Sequence, residues 1–218
     1  MSESTTPSRP LDYELLILGP VLVLLLWVNV SGLANQWASG DVGWLELLQT
    51  SLTTCFYLLL VVLLVTRRPA RRTSRSWVAT IGAYLGTFLP FAMILNFGPM
   101  VSSPVLTVIS IAVMIVGLGF SIYAVSWLGR SFGAVPAARR LVRKGPYRIV
   151  RHPLYAAEFV TFIGVVLGQL TLFSAALFAA SVAVQVYRAL QEEKVLTEAF
   201  PEYQEYSEQT RRFIPGVI

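Results

Sequence analysis

The feature that most limits what this chain can fold into is the segregation of its charge from its apolar runs. Six apolar runs can be marked out: about Leu15 to Leu33, Leu45 to Thr66, Trp77 to Phe97, Val105 to Leu128, Leu154 to Leu167 and Leu170 to Leu190. Most are near the roughly 20 residues that a helix needs to cross the hydrocarbon core, and the fifth is shorter. If all six cross, every one of the 17 Lys and Arg residues lies on the same side. Arg67, Arg68, Arg71, Arg72 and Arg75 follow the second run, and the segment after the fourth holds seven more, from Arg130 to Arg151. Arg188, Lys194, Arg211 and Arg212 lie at or beyond the end of the sixth, and Arg9 precedes the first. The opposite loops hold Asp41 and Glu46 without a basic residue. Basic residues collect on the cytoplasmic side, so six spans with both termini cytoplasmic are expected, whereas an odd number would break the separation.

Composition agrees with a bilayer protein. Only 13% of the residues are charged and 55% are hydrophobic, against about a quarter charged in soluble domains. The net charge of +5 needs no nucleic acid partner, because basic residues at a membrane face meet anionic lipid. The expected fold is an all-α integral membrane bundle of six helices, with a C-terminal helical hairpin and a cytoplasmic amphipathic tail. Residues 1–128 would form about four N-terminal spans, and residues 129–218 a second unit. Met1 to Arg9 reads as a polar tail, and no cleavable signal is evident, since Asp12 and Glu14 precede the first run. Trp27, Trp37, Trp44, Trp77 and Trp127 fit interfacial belts. Gly82 with Gly86, and Gly164 with Gly168, are small-residue pairs suited to helix packing. Cys55, the lone cysteine, is expected to be a buried thiol.

The chemistry concentrates after the fourth run. Gly133, Pro136, Gly145, Pro146 and Pro153 set the shape of the segment that follows it. Pro153 suits the first turn of the fifth helix, where its missing N–H is tolerated. That helix start, beside Arg148 and Arg151, is suited to a carboxylate or phosphate. His152 is the only histidine and can act as base or donor. Tyr155 and Glu158 are three apart and share a helix face. A carboxylate at that depth needs a partner, either a ligand or an arginine of the loop. If the fifth and sixth runs form a hairpin broken at Gly168-Gln169, Glu192 and Glu193 return to the neighbourhood of His152 and Tyr155. From the residues alone, that acidic pair could take a diol, offset a cationic ligand, or be the solvated face of a tail helix. In that tail Leu196, Phe200, Tyr203 and Tyr206 share a face, broken near Pro201, and the basic loop is the expected partner of its glutamates. One His and one Cys cannot build a zinc site of the usual kind, and no phosphate-binding glycine loop is present. Gly117-Leu118-Gly119 is read as helix packing.

The order Leu141-Val142, Gly145-Pro146-Tyr147, Arg151-His152-Pro153-Leu154-Tyr155 resembles the signature of the isoprenylcysteine carboxyl methyltransferase family, to which phospholipid methyltransferases are related. Glu192-Glu193, Leu196, Phe200, Glu202-Tyr203, Tyr206 and Arg212-Phe213-Ile214-Pro215 extend the likeness over roughly Gly129 to Pro215. The resemblance implies a membrane enzyme using S-adenosylmethionine. Carried over by position, Tyr147, His152, Tyr155, Glu192 and Glu193 would line the cofactor. Leu141 and Val142 would contribute backbone contacts, and Arg212 would close the pocket. The candidate catalytic set is Glu158, His152 and Arg151. The partners implied are membrane lipids and a lipophilic or small-molecule methyl acceptor: an isoprenylcysteine-like carboxylate, a thiol or a phospholipid amine. Arg139 stands where eukaryotic members have a histidine, and Glu158 falls near a position where glycine is common, so the acceptor is less constrained than the cofactor. Two rival readings are a membrane reductase of the sterol-reductase type using NADPH and a non-enzymatic membrane scaffold.

Overall fold

The computed structural model describes residues 13–40, 43–74, 76–89, 103–168 and 170–216. Helix α1 spans Tyr13–Ser39, α2 Trp44–Thr66, α3 Trp77–Phe88, α4 Pro104–Leu128, α5 Pro153–Gly168, α6 Leu172–Ala199 and α7 Tyr203–Gln209. Strand β1, Arg72–Thr73, pairs antiparallel with β2, Ala137–Ala138. Four of the helices, α1, α2, α4 and α6, are long and apolar enough to cross a membrane, while α3 and α5 are shorter apolar helices. With Leu16, Val65, Val116 and Leu172 among many large apolar side chains pointing outward, the chain is an all-α integral membrane protein. Residues 90–97 of the third apolar run, the terminal tail, Asp41, Arg75 and Gln169 lie outside the described residues.

Helix packing follows the small residues. Along α4 and α5, Gly117 faces Thr161, and Gly164 faces Met114 and the carbonyl of Ser110. A Cβ on Gly164 would stand 2.5 Å from Met114 Cγ. The close approach lets Ser110 Oγ donate to the Gly164 carbonyl at 2.7 Å. Gly82 and Gly86 of α3 lie against Tyr187 and Arg188 of α6 in the same manner. Both glycine pairs, and Gly117, therefore serve packing as the sequence implied. Leu18 and Leu22 of α1 meet Leu60, Leu63 and Leu64 of α2 and Ala124 and Val125 of α4 in the main apolar cluster.

Three expectations are corrected. Cys55 is exposed rather than buried, because α2 turns that face away from α1 and α4. Trp27 sits in mid-helix, since α1 runs on to Ser39; its length of 27 residues is about 40 Å. The sixth helix does not end near Leu190. It starts on a reciprocal cap between Thr171 and Ser174 and runs to Ala199, so Glu192 and Glu193 are on α6 itself. The helix stops ahead of Pro201, as the tail's break predicted. Val195, Phe200, Tyr203 and Tyr206 form a second buried cluster against Ala138.

Candidate functional site

The segment between α4 and α5 is held from both sides. Gly129 (φ 53°) turns the chain out of α4. Arg130 Nε donates to the Thr66 carbonyl at 2.6 Å, and its own carbonyl accepts from Arg68 N–H at 2.9 Å. The β1–β2 ladder, with Ser74 N–H donating to the Pro136 carbonyl at 3.0 Å, continues the seam. On the other side Glu14, in the first turn of α1, is buried against this segment. It accepts from the backbone N–H of Ala134 and of Val135 and pairs with Arg67 and Arg139.

Gly145 (φ 60°) lies on the Trp127 ring, where a Cβ would come within 2.5 Å of ring atoms. A left-handed turn there, followed by a 3₁₀ turn at Gly145–Arg148, drives Tyr147 inward. Burial, reinforced by Glu192, Tyr206 and Glu158, pushes the Tyr147 phenol well above its ordinary range. Burial likewise raises Tyr206 to about 12, so both remain protonated donors. Tyr206 uses its hydroxyl to donate to the Tyr147 carbonyl at 2.6 Å. The C-terminal segment is laid beside the start of α5: Arg151 N–H donates to the Arg211 carbonyl at 2.7 Å and His152 N–H to that of Arg212 at 2.9 Å.

Pro153 then opens α5, and the side chains of His152 and Tyr155 face α6. Tyr155 donates its hydroxyl to Glu192 Oε1. The other Glu192 oxygen lies 3.9 Å from His152 Nδ1. Glu193 is a node: Arg151 Nε reaches its Oε1 at 2.9 Å, His152 Nε2 at 3.3 Å, and Arg212 Nη2 reaches its Oε2 at 3.1 Å. Arg151 also donates to the carbonyls of Ser207, at 2.5 Å, and Thr210. The His152 ring stacks on Tyr155 with centroids 5.5 Å apart, and Phe213 lies 5.7 Å from it on a tilted plane. Deeper along α5, Glu158 Oε2 accepts from Gln185 Nε2 at 2.5 Å. Gln185 Oε1 in turn accepts from Arg188 Nη1 at 2.7 Å, and Arg188 covers the Tyr155 ring at 5.2 Å.

These groups surround a cavity of about 720 Å³. Leu141, Val142, Tyr147, Arg151, His152, Tyr155, Glu158 and Glu192 all line it. Glu193 and Arg212 do not. They sit behind Arg151 and His152 and fix those two side chains. From this polar end the cavity continues between Leu18 and Leu22 of α1, Phe56 and Leu60 of α2, and Ile111 and Leu118 of α4. Polar and apolar chemistry thus meet in one space.

Several lining residues escaped the sequence reading. Arg139, which its loop position leaves open between an ordinary positive-inside arginine and a site residue, is buried and lines the cavity. Gln185 and Arg188 line it too, and Arg188 was assigned to the end of a span. Two polar residues three apart in an apolar run are a signal that could have marked them. The partner of Glu158 is Gln185, not a loop arginine. The acidic tail is met by Arg151 from the loop, by Arg212 from its own end, and by Arg72 from the loop after α2, which pairs with Glu198 at 2.9 Å. Among the described residues no group of three or more His, Cys, Asp or Glu side chains is arranged to hold a metal ion.

Residues 105–203 match the phospholipid methyltransferase family model. A nickel-cobalt-cadmium resistance protein of Alcaligenes xylosoxydans xylosoxydans is 36% identical over 117 residues, which is 50% of this chain and 53% of the relative. A cobalt-zinc-cadmium resistance protein of Cupriavidus metallidurans is 32% identical over 109 residues, 47% and 50% of the two chains. The chain thus spans about half the length of the curated relatives it matches. Among solved structures, the eukaryotic intramembrane Ras methyltransferase, isoprenylcysteine carboxyl methyltransferase, superposes with a TM-score of 0.52 at 21% identity, over 92% of this chain and 74% of that one. Over residues 105–203 the chain is thus similar to the phospholipid methyltransferases, and it shares its fold with isoprenylcysteine carboxyl methyltransferase.

Proposed function

We propose that the chain is a membrane methyltransferase that takes S-adenosylmethionine at the polar end of the cavity and a lipophilic acceptor along its apolar part. The observation that carries this reading is the continuity of the two. Tyr147, His152, Tyr155 and Glu192 line the same space as Leu18, Leu22 and Leu60. The residues present fit the cofactor. One Glu192 oxygen is taken by Tyr155, while the other is beyond hydrogen-bond distance of His152. That leaves an acceptor for a diol or for a positive charge. Stacked aromatic rings beside a carboxylate also suit a cationic centre.

When bound, S-adenosylmethionine supplies a methyl carbon whose bond to a cationic sulfur breaks, the electron pair leaving on sulfur, as the acceptor's lone pair attacks. The chain's own work is then positioning. Tyr155 and Arg188 hold Glu192 and the wall facing it. Leu141 and Val142 offer backbone groups at the rim. Arg151, Glu193 and Arg212 lock His152 and the C-terminal segment in place, so Arg151 acts through its neighbours. His152 and Glu158 are the cavity groups able to orient the acceptor, and an amine or hydroxyl acceptor would pass its proton to one of them.

In this reading the third apolar run, which contains α3, together with α4 and a hairpin of α5 and α6, completes six spans with α1 and α2. Both termini and the polar end of the cavity are cytoplasmic, in line with the placement of the 17 basic residues. Residues 129–218 supply the cofactor site, and residues 1–128 most of the apolar wall. The test is calorimetry of the purified protein with S-adenosylhomocysteine and, separately, NADPH, followed by labelled-methyl transfer to a total membrane extract. Binding of the first ligand and a labelled lipid-soluble product are expected. Binding of NADPH alone would move the chain to the reductase reading, and binding of neither would sink the enzyme reading.

A further inference from the structure

Glu14 belongs to α1, outside the segment that matches the family model. Its carboxylate is nevertheless buried at the loop before α5. One oxygen accepts from the N–H of Ala134 and, at 3.3 Å, from that of Val135. The other lies between Arg67 and Arg139, with Arg139 Nη2 at 3.3 Å. On the opposite side of the same peptide, the Ala134 carbonyl accepts from Arg188 Nη2 at 3.0 Å. Arg188 is the residue that covers the Tyr155 ring. A single backbone unit is thus held from α1 by its N–H and from α6 by its C=O. Ala134, Val135 and Arg139 all line the cavity. Gly133 lies under the Arg139 guanidinium, where a Cβ would stand 2.8 Å from its central carbon, so the wall has little room to settle elsewhere.

A carboxylate needed only to neutralise two guanidinium groups has no reason to point an oxygen at two successive amides. We propose that Glu14 is a positioning residue: it fixes the Ala134–Val135 wall and Arg139 at the spacing the ligand site requires, making the N-terminal helix part of that site. The inference rests on the methyltransferase reading for the identity of the ligand. Misplacing a site wall by about 1 Å can lower turnover by about 100-fold without unfolding a protein.

The test uses the full chain in detergent with Glu14→Ala and Glu14→Gln. Glutamine keeps an oxygen for the two amides and gives up the charge. Hydrogen–deuterium exchange of the 133–142 segment is read first, and then the Kd for S-adenosylhomocysteine. For Glu14→Ala, exchange at residues 134 and 135 should rise at least tenfold while the centre of α4 and α5 stays protected. The Kd should rise about tenfold, and Glu14→Gln should recover most of both. Unchanged exchange at 134 and 135 would overturn the clamp. Faster exchange with an unchanged Kd would overturn the positioning role. Loss of protection throughout the bundle in both variants would assign Glu14 to folding alone and overturn the proposal. Failure of the unsubstituted protein to bind S-adenosylhomocysteine would instead remove the methyltransferase reading, with the exchange result still deciding the clamp.

Discussion

Replacing Arg151 with alanine should reveal how far the site depends on its hidden framework. The side chain is about one-tenth exposed and its partner Glu193 little more. It makes hydrogen bonds to Glu193 and to the carbonyls of Ser207 and Thr210. At ~1.5–3 kcal/mol for each of these three bonds to a charged group, the gross loss would be about 4.5–9 kcal/mol. Glu193 would keep Arg212 and His152 as partners, so the net loss should fall short of that sum, to about the 3–5 kcal/mol that removing one partner of a buried charged cluster costs. For a chain of this length, with Tm moving ~2–4 °C per kcal/mol, that is a drop of about 6–20 °C. The assay is thermal unfolding in detergent followed by intrinsic fluorescence. Arg151→Lys should recover only part of the loss, because one ammonium cannot reach Glu193 and two carbonyls with the geometry of a guanidinium. A fall of Tm below about 2 °C for Arg151→Ala would refute the reasoning and return Arg151 to a direct role in the cavity.

Tyr155→Phe removes the hydroxyl that holds Glu192, itself a quarter exposed. It should weaken S-adenosylhomocysteine binding by about fivefold in calorimetry, roughly 1 kcal/mol, and an unchanged Kd would exclude Glu192 from the cofactor site. Glu158→Gln should leave that Kd within about twofold and lower labelled-methyl transfer by about 100-fold if Glu158 takes the acceptor's proton. A fully active variant would leave His152 alone in that role. Gly164→Leu forces α5 away from Met114 and Ser110 and should destabilise the bundle by about 1–3 kcal/mol in the same thermal assay, whereas an unchanged Tm would mean that α4 and α5 are not packed there.

How far the sequence reached can be seen residue by residue. The helical, membrane-embedded class followed from uninterrupted apolar runs, because lipid leaves the backbone no other way to satisfy its polar groups than within each helix. The helix starts at Trp77 and Pro153, the break near Pro201 and the packing role of Gly82, Gly86 and Gly164 were equally legible, being local consequences of capping and of side-chain size. The meeting of Tyr155 with Glu192 was predictable from a return of the chain. The length of α6 was not, because polar residues on its inward face hid the helix behind an apparent end of the apolar run. The Gln185 bridge from Glu158 to Arg188 was not legible, because spacing within an apolar run does not say which polar side chain of a neighbouring helix will meet it.

What only the tertiary structure decided is which polar groups share a partner. Sequence spacing places side chains on a helix face, but it does not say which of 17 basic residues is buried. Arg139 and Arg188 look like their neighbours in the chain, and Glu14 looks like the edge of a span. Their roles appear once α1, the 129–153 segment and α6 are packed together, because a charge inside a bundle is tolerable only where another element supplies its counter-charge and hydrogen bonds. By itself the sequence determined a membrane bundle whose chemistry gathers in one polar segment and the helices that flank it. The fold decided that this segment is one wall of a cavity, that Glu14 of α1 is hydrogen-bonded to it, and that Glu193 and Arg212 stand behind the residues that line that cavity.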